Sequence, residues 1–241
     1  MKERPILFTP DNALKTHTQL KSQTRRVAGF PSWVTEIEHV GQWWHGKGNH
    51  PSHDCEEPKC GHSYGASMFT IQCPFGVVGD RLWVREAWRT WEEPKHCVDG
   101  ILYKGDGSFR PIEPTREAAD KWIVAHDNGR YGDKWRHARF MFRWCSRTLL
   151  DITDIRVERL QDISEEDAVA EGVTATPYSA QDIADIQISD CAPEIKQLAA
   201  ILGPGQFTAK ANYMMLWDSI NAKTHPWSSN PWVFAITFRR I

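Results

Sequence analysis

Short apolar segments and segments of alternating polarity predict the β-strands of this chain. The first is "PILF" (residues 5–8), and "RLWVREAW" (residues 81–88) follows a turn signal at Gly79-Asp80. The segment "RFMFRWCSRTLLDITDIRVERL" (residues 139–160) predicts two strands, and "PWVFAITFRRI" (residues 231–241) predicts a last one. Residues two apart on a strand share a face, so alternation indicates a strand with one buried side.

Helical spacing and capping residues predict the helices. In "TPDNALKTHTQL" (residues 9–20), Thr9 is an N-cap, Pro10 takes the first helical position and Asp11 lies in the first turn. A second helix is predicted over "TREAADKWIVAH" (residues 115–126) and a third over "PEIKQLAAIL" (residues 193–202).

Two more helices are predicted in the C-terminal half. In "DISEEDAVAEGV" (residues 162–173), Ser164 is an N-cap and Gly172 a stop signal. "ANYMMLWDSINAK" (residues 211–223) predicts an amphipathic helix, whose buried face carries the following residues at i, i+3, i+4 and i+7 spacing: Tyr213, Leu216, Trp217 and Ile220.

Segments without a regular hydrophobic periodicity separate these predicted strands and helices. Residues 30–72 are rich in Gly, His and Pro and predict a loop or insertion, and residues 92–114 predict a hairpin with turns at Asp99-Gly100 and Asp106-Gly107. Strands outnumber helices, and regular helical crossovers do not join them. A small α+β barrel with inserted loops is therefore favoured over a doubly wound sheet.

The bulk composition narrows the class of protein. The chain has 241 residues, of which 41% are hydrophobic, and a net charge of −2, so a packed core is expected and any basic surface must be local. No signal peptide and no apolar run of about 18 residues is present, which predicts a cytoplasmic location and no membrane partner. Six cysteines then favour thiols or metal ligands over a disulfide scaffold.

The stretch "LKSQTRR" (residues 20–26) places Lys21, Thr24 and Arg26 in the spacing K-x-x-T-x-R. A partly desolvated lysine can act as a base, and a threonine hydroxyl becomes a nucleophile when a base takes its proton. An arginine close by offers a planar fork for a phosphate. The alternative is a solvated helix end, where cations offset the negative end of the helix dipole.

Glu171 is the last predicted helical residue before Gly172. The C-terminal end of a helix disfavours a carboxylate by typically ~0.3–1 kcal/mol, and a sequence selected for stability alone would place Lys or Arg there. The position therefore suggests a carboxyl group used for proton transfer or for pairing with a catalytic lysine. The alternative is an exposed glutamate at a frayed helix end.

Six segments together resemble the ASCH-domain proteins of phages and prophages, which belong to the PUA-like superfamily of small β-barrels. They are "LKSQTRR", "CPFGVVGDRLWVREAW", "RWCSRTLLDIT", "RVERLQDISEEDAVAEGV", "LWDSIN" and "NPWVFAITFRRI". The resemblance implies one α+β domain over residues 1–241, a mostly antiparallel pseudo-barrel with flanking helices. It leaves residues 30–72, 95–138 and 173–207 as insertions.

The resemblance also implies site residues. The family's signature G-x-K-x-x-T-x-R keeps its Lys, Thr and Arg here, whereas Gln19 replaces the leading Gly. Similar small amidohydrolases remove the acetyl group of N4-acetylcytidine with a Lys, a Thr and a Glu, which correspond to Lys21, Thr24 and Glu171. By this resemblance Thr24 attacks the amide carbonyl, Lys21 takes its proton, and Glu171 orients or shuttles protons.

The segment 130–147 holds six Lys and Arg residues, one acid and five aromatic rings. If it is a strand, Arg139, Arg143 and Arg147 share one face, which predicts a basic strip that tracks a phosphate backbone together with Arg26. The alternative is an amphipathic edge strand with its arginines in water.

The loop "HPSHDCEEPKCGH" (residues 50–62) carries Cys55, Cys60 and His62, and either Cys73 or His53 completes four ligands. Thiolates and imidazoles are the ligands of structural zinc, which would order such a loop. The alternative is a flexible insertion with incidental thiols, and the proposed hydrolysis requires no cofactor.

Two classes of function follow for an RNA or nucleoside partner. One is a hydrolase acting on a modified nucleoside, and the other is a non-catalytic RNA- or nucleic-acid-binding module that uses the same pocket. A phage assembly or host-interaction protein is a third. The base, the choice between RNA and DNA and the oligomeric state stay open.

Overall fold

The computed structural model describes residues 1–48, 67–94, 98–128, 134–178 and 205–241. Its strands are β1 (Glu3–Leu7), β2 (Gln23–Val27), β3 (Val34–Val40), β4 (Trp43–Gly48), β5 (Ser67–Ile71), β6 (Arg81–Arg85), β7 (Trp88–Glu93), β8 (Val98–Tyr103), β9 (Phe109–Pro111), β10 (Leu149–Arg159), β11 (Thr176–Tyr178), β12 (Gly205–Phe207) and β13 (Trp232–Arg240). Its helices are α1 (Pro10–His17), α2 (Arg116–Asn128), α3 (Glu165–Ala170) and α4 (Ala209–Asn221). The prediction of an α+β chain with mostly antiparallel strands is confirmed, and the sheets in these ranges do not close into a barrel.

The chain forms two compact units, each assembled from separate segments. Unit 1 comprises Met1–Lys21, Gly79–Ile152 and Phe238–Ile241, and unit 2 comprises Ser22–Val78 and Thr153–Thr237. Strands β10 and β13 contribute residues to both units. The single domain predicted from the sequence stays a prediction.

Unit 1 is built on β1, which pairs in parallel with β6, and on β6, which pairs antiparallel with the start of β10. A second antiparallel sheet runs in the order β7-β8-β9. Its core combines sheet residues with one face of α2, and its large buried members are Trp88, Ile101, Tyr103, Trp122 and Met141.

Unit 2 contains the antiparallel pair β2 and β13, in which Thr24 lies opposite Ile236 and Arg26 opposite Phe234. A three-stranded antiparallel sheet, β3-β4-β5, and the short pair β11 and β12 belong to the same unit. Its core packs α3 and α4 with Leu160, Ile163, Trp227 and Val233.

Four local predictions were wrong. The segment 30–72 is not a loop throughout, because β3, β4 and β5 pair into a sheet there and Val34 and Trp44 are buried.

The other three wrong predictions lie elsewhere in the chain. Residues 139–147 do not form a strand, because 3-10 turns over Ala138–Phe140 and Arg143–Cys145 interrupt the extended backbone before β10. Gly100 lies inside β8 rather than in a turn, where the ring of Phe109 leaves no room for a Cβ. In α4 the buried positions include Met214, whereas Ile220 is exposed.

The helix predicted over residues 193–202 lies outside the described residues. Within the described ranges, no helix has the length and apolar character needed to span a bilayer.

Candidate functional site

The C-terminal end of α1 sets the course of the chain into Lys21. Gln19 adopts a left-handed φ of 63°, its N–H donates to Thr16 O, and the N–H of Leu20 donates to Lys15 O. These two bonds form a Schellman motif, which usually has Gly at the left-handed position. The signature G-x-K-x-x-T-x-R has its Gly at position 19. The backbone of Gln19 keeps the left-handed conformation that favours glycine, although the side chain is Gln.

Lys21 follows this motif and is the last residue of unit 1. Its N–H also donates to Lys15 O, and its side chain is 3% exposed, with Nζ 5.9 Å from the centre of the Phe8 ring. Removal of an ammonium from water disfavours its charged form and demands compensating contacts. This burial does not agree with the alternative in which Lys21 lies at a solvated helix end.

Strand β2 carries Thr24, and almost all of its side chains are polar. Gln23, Thr24 and Arg25 are each less than 5% exposed, whereas the paired residues of β13 are mostly apolar. Strand alternation places Gln23 and Arg25 on one face and Thr24 and Arg26 on the other. A strand that buries polar groups on both faces must have hydrogen-bond partners for them.

The end of α3 positions Glu171. Ser164 caps the helix by accepting from the N–H of Asp167, and Gly172, with φ of 82°, occupies the left-handed position of a second Schellman motif. The N–H of Ser22, just before β2, donates to Ala170 O at 2.8 Å. This bond ties the helix end to the start of β2, and the predicted cap and stop residues are confirmed.

Glu171 is not at a frayed end, since it is 2% exposed. Its Oε1 accepts from Nη1 of Arg25 at 3.3 Å and from the hydroxyl of Tyr213 at 3.4 Å. Burial, followed by the charge of Glu171, raises the pKa of Tyr213 well above its usual value, so this phenol stays a proton donor. The carboxylate is therefore held from two sides.

Arg25 is the functional candidate that sequence reasoning missed, because it occupies a variable position of the signature. Its Nε and Nη2 donate to Glu158 at 3.0 and 2.5 Å, Nη2 donates to Asp167 at 2.8 Å, and Nη1 donates to Gln23 at 2.6 Å as well as to Glu171. All five donors of a guanidinium lie on these three nitrogens. Since each nitrogen already has protein partners, Arg25 holds the carboxylates in place. Alternation along β2 is the sequence signal that would have paired it with Gln23.

Arg26 lies on the opposite face of β2 from Arg25. It is half-buried, with its guanidinium carbon 6.0 Å from the centre of the Phe75 ring. Burial lowers its pKa, and the negative charge of Glu171 opposes that effect. Glu171 therefore acts electrostatically on arginines of both faces of β2.

The three arginines predicted to form a basic strip do not share a strand face. Arg139 is exposed, whereas Arg143 donates to Glu3 at 2.8 Å. Arg147 has a side chain only 6% exposed and forms a bidentate pair with Glu86, with both distances 2.9 Å. The 3-10 turns rotate successive arginines away from one another, so strand alternation fails here.

The predicted zinc ligands Cys55, Cys60 and His62 lie outside the described residues. Cys73 is buried. Among the residues that the structure describes, no group of three or more His, Cys, Asp or Glu side chains is arranged to hold a metal ion.

No protein-family model, no curated protein and no solved structure matches this chain.

Proposed function

We propose that this chain is a nucleoside-recognising protein of the ASCH type with a PUA-like fold, and that it hydrolyses an acylated cytidine. The substrate class is a nucleobase with an N-acylated exocyclic amine, free or in RNA. Thr24 is the nucleophile, Lys21 the base, and Glu171 the group that orients or shuttles the proton.

The burial of polar side chains along β2 carries this proposal. Thr24 is 4% exposed and Glu171 2% exposed, and each belongs to a motif that resembles the catalytic segments of ASCH amidohydrolases. Burial of polar and charged groups lowers stability unless every group has a hydrogen-bond or ion-pair partner. Clusters of buried polar side chains are therefore typical of functional sites. The alternative interpretation of the K-x-x-T-x-R stretch, a solvated helix end, does not agree with side chains that are almost fully buried.

The proposed reaction runs in two steps. Oγ1 of Thr24 forms a bond with the acyl carbon, the bond from that carbon to the exocyclic nitrogen breaks, and the hydroxyl proton ends on the departing amine. A water molecule then attacks the ester, releasing acetate and restoring the threonine. Arg25 and Tyr213 keep the Glu171 carboxylate in position throughout, which is the kind of pre-organisation that proton transfer requires.

The second candidate function is recognition without turnover. The hydrogen bonds from Arg25 to three carboxylates favour this second function. They give part of the buried charge in unit 2 a structural role that does not require catalysis. Recognition requires only the positive charge of Arg26 and a cavity that fits the base.

Turnover of N4-acetylcytidine, measured by chromatographic detection of cytidine, tests the proposal. We expect hydrolysis by the wild type, a loss of at least about a thousandfold in Thr24→Val, and a loss of about 10²–10⁴-fold in Glu171→Gln. Thr35→Val is the matched control, because Thr35 is an exposed threonine of β3 in the same unit. It should keep full activity.

The outcomes separate the two candidate functions. Equal turnover by wild type and Thr24→Val would rule out the nucleophile assigned here. Binding of the nucleoside without any turnover by the wild type would overturn the hydrolase and support recognition alone. Circular dichroism and thermal unfolding of each variant distinguish lost chemistry from lost folding.

A further inference from the structure

A second candidate site lies wholly within unit 1, in a groove beside the segment 134–142. The groove has a volume of about 510 Å³, and we call it the basic groove. It is lined by Arg85, Lys134, Arg136, Arg139, Phe140, Met141 and Phe142. A volume of this size falls within the ~300–1,000 Å³ range of ligand-binding pockets.

The wall of the basic groove is anchored to the sheets of unit 1. Arg136 and Trp88 exchange two backbone hydrogen bonds at the start of β7, and Nη1 of Arg85 donates to Arg139 O at 3.2 Å. The side chain of Met141 is buried in the core. The exposed side chains between these anchors are therefore held on a fixed backbone.

Positive charge dominates this surface. Four of its seven lining residues are Lys or Arg, and none is acidic. Within the described part of the chain, these four cations form no ion pair, and the buried Nε of Arg85 has no hydrogen-bond partner. Arg143 and Arg147, in contrast, are neutralised by neighbouring carboxylates. In a chain with a net charge of −2, such a local excess of unpaired cations complements a polyanion.

Aromatic rings stand between the cations. Phe140 is 62% exposed, Phe142 46% exposed and Trp135, in the same segment, 39% exposed. Trp135 stands in the chain between the lining residues Lys134 and Arg136. The guanidinium carbon of Arg89 lies 4.9 Å from the ring centre of Trp135 and 4.5 Å from that of Trp91. Flat rings that alternate with cations are typical of single-strand binding surfaces, where bases stack on the rings and cations track the phosphates.

We infer that the basic groove binds single-stranded nucleic acid. Duplex recognition through the major groove uses an α-helix or a β-ribbon, whereas this surface is built from 3-10 turns. Unstacked bases of a single strand can reach Phe140 and Phe142. None of the groove's lining residues is assigned to the nucleoside site, and the inference does not depend on the proposed hydrolysis.

Fluorescence anisotropy with labelled 12-nucleotide strands of RNA and DNA and with a 12-base-pair duplex tests this inference. Phe140→Ala should weaken single-strand binding about 5- to 150-fold, which corresponds to the loss of one stacked base at ~1–3 kcal/mol. The charge-reversed variant Lys134→Glu/Arg139→Glu should bind more than about tenfold more weakly. It should also reduce the slope of log K against log salt by about 1.4, as expected for two lost phosphate contacts.

The matched control for charge is Lys2→Glu/Arg116→Glu, which reverses two exposed cations of unit 1 outside the groove. It should bind like the wild type. Equal affinity for RNA and DNA supports single-strand binding through phosphates and base faces. A preference for RNA supports the same binding with an added contact to the 2′-hydroxyl. Preference for the duplex, or an equal loss in the control and groove variants, would overturn the inference.

Measurement of N4-acetylcytidine hydrolysis by the same variants tests the hydrolase proposal separately from the strand-binding proposal. Variants of the basic groove should retain any turnover of the free nucleoside, because the residues assigned to chemistry are unchanged. Loss of strand binding with intact turnover supports the groove, and absence of turnover in the wild type leaves the strand-binding measurement unaffected. Wild-type protein that binds no single strand at low salt would refute the groove.

Discussion

Arg25 and Glu171, which are 146 residues apart in the chain, form a buried ion pair in which Nη1 donates to Oε1 at 3.3 Å. The side chain of Arg25 is 0% exposed and that of Glu171 is 3% exposed. The same guanidinium also binds Glu158 and Asp167. One guanidinium therefore contacts three carboxylates, and its removal leaves the buried Glu171 without its cation, whereas the partly buried Glu158 and Asp167 also pair with Arg156.

Replacement of Arg25 tests this relationship. Arg25→Met should lower the free energy of unfolding by about 3–5 kcal/mol, because removal of one partner leaves uncompensated buried charge. Arg156→Met is the matched control, since Arg156 binds the same Asp167 at 2.7 Å with a side chain that is 42% exposed. It should lower the free energy by less than about 1 kcal/mol. Urea unfolding measures both, and similar values for the two variants would contradict the assigned role of Arg25.

The left-handed backbone of Gln19 predicts a stabilising substitution. A non-glycine residue in this conformation is strained by about 1–2 kcal/mol, and glycine relieves the strain but gains entropy in the unfolded chain. Gln19→Gly should therefore raise the free energy of unfolding by about 0.5–1 kcal/mol. Gln19→Ala keeps the Cβ and should give no gain, so thermal unfolding of the pair isolates the backbone effect. A gain in the alanine variant would refute this explanation.

Acid should weaken unit 1 through Asp106. Although desolvation opposes it, hydrogen bonding from Arg147 and Ser108 lowers the pKa of Asp106 to about 2. A carboxyl group whose pKa is lower in the folded state adds stability above its unfolded value of 3.8, and this contribution is lost as the pH falls towards 2. The urea midpoint of the wild type should fall more steeply between pH 4 and pH 2 than that of Asp106→Asn. Parallel pH profiles would contradict the prediction.

Cys145 should be inert in the folded protein. Its side chain is fully buried, and burial raises the pKa of the thiol to about 12. Alkylation requires the thiolate, so iodoacetamide at pH 8 should leave the peptide containing Cys145 unmodified in native protein and modify it fully in urea. Mass spectrometry of digested protein measures both states. Rapid native modification would mean that this part of the unit 1 core opens easily.

Helix ends were predictable because their interactions are local. Thr9 accepts from the N–H of Asn12 and Ser164 from the N–H of Asp167, each within three residues, so the capping residues alone identify the helix starts. Gly172 likewise marks the end of α3 through bonds inside a single turn. The terminal strand β13 was predictable because its apolar run needs no distant partner to be recognised.

The sequence by itself determined the α+β class, the helix caps and the residue types around Lys21, Thr24 and Glu171, because propensity and capping act over a few residues. The tertiary structure alone decided that Arg25 holds three carboxylates, and that Arg147 is neutralised while Arg139 stays exposed. Such outcomes depend on groups that lie between 41 and 146 residues away in the chain, whose position no local pattern encodes. Folding buries each charged side chain to a different extent and gives it different partners. These two properties decide whether the side chain can bind a ligand or stabilises the structure.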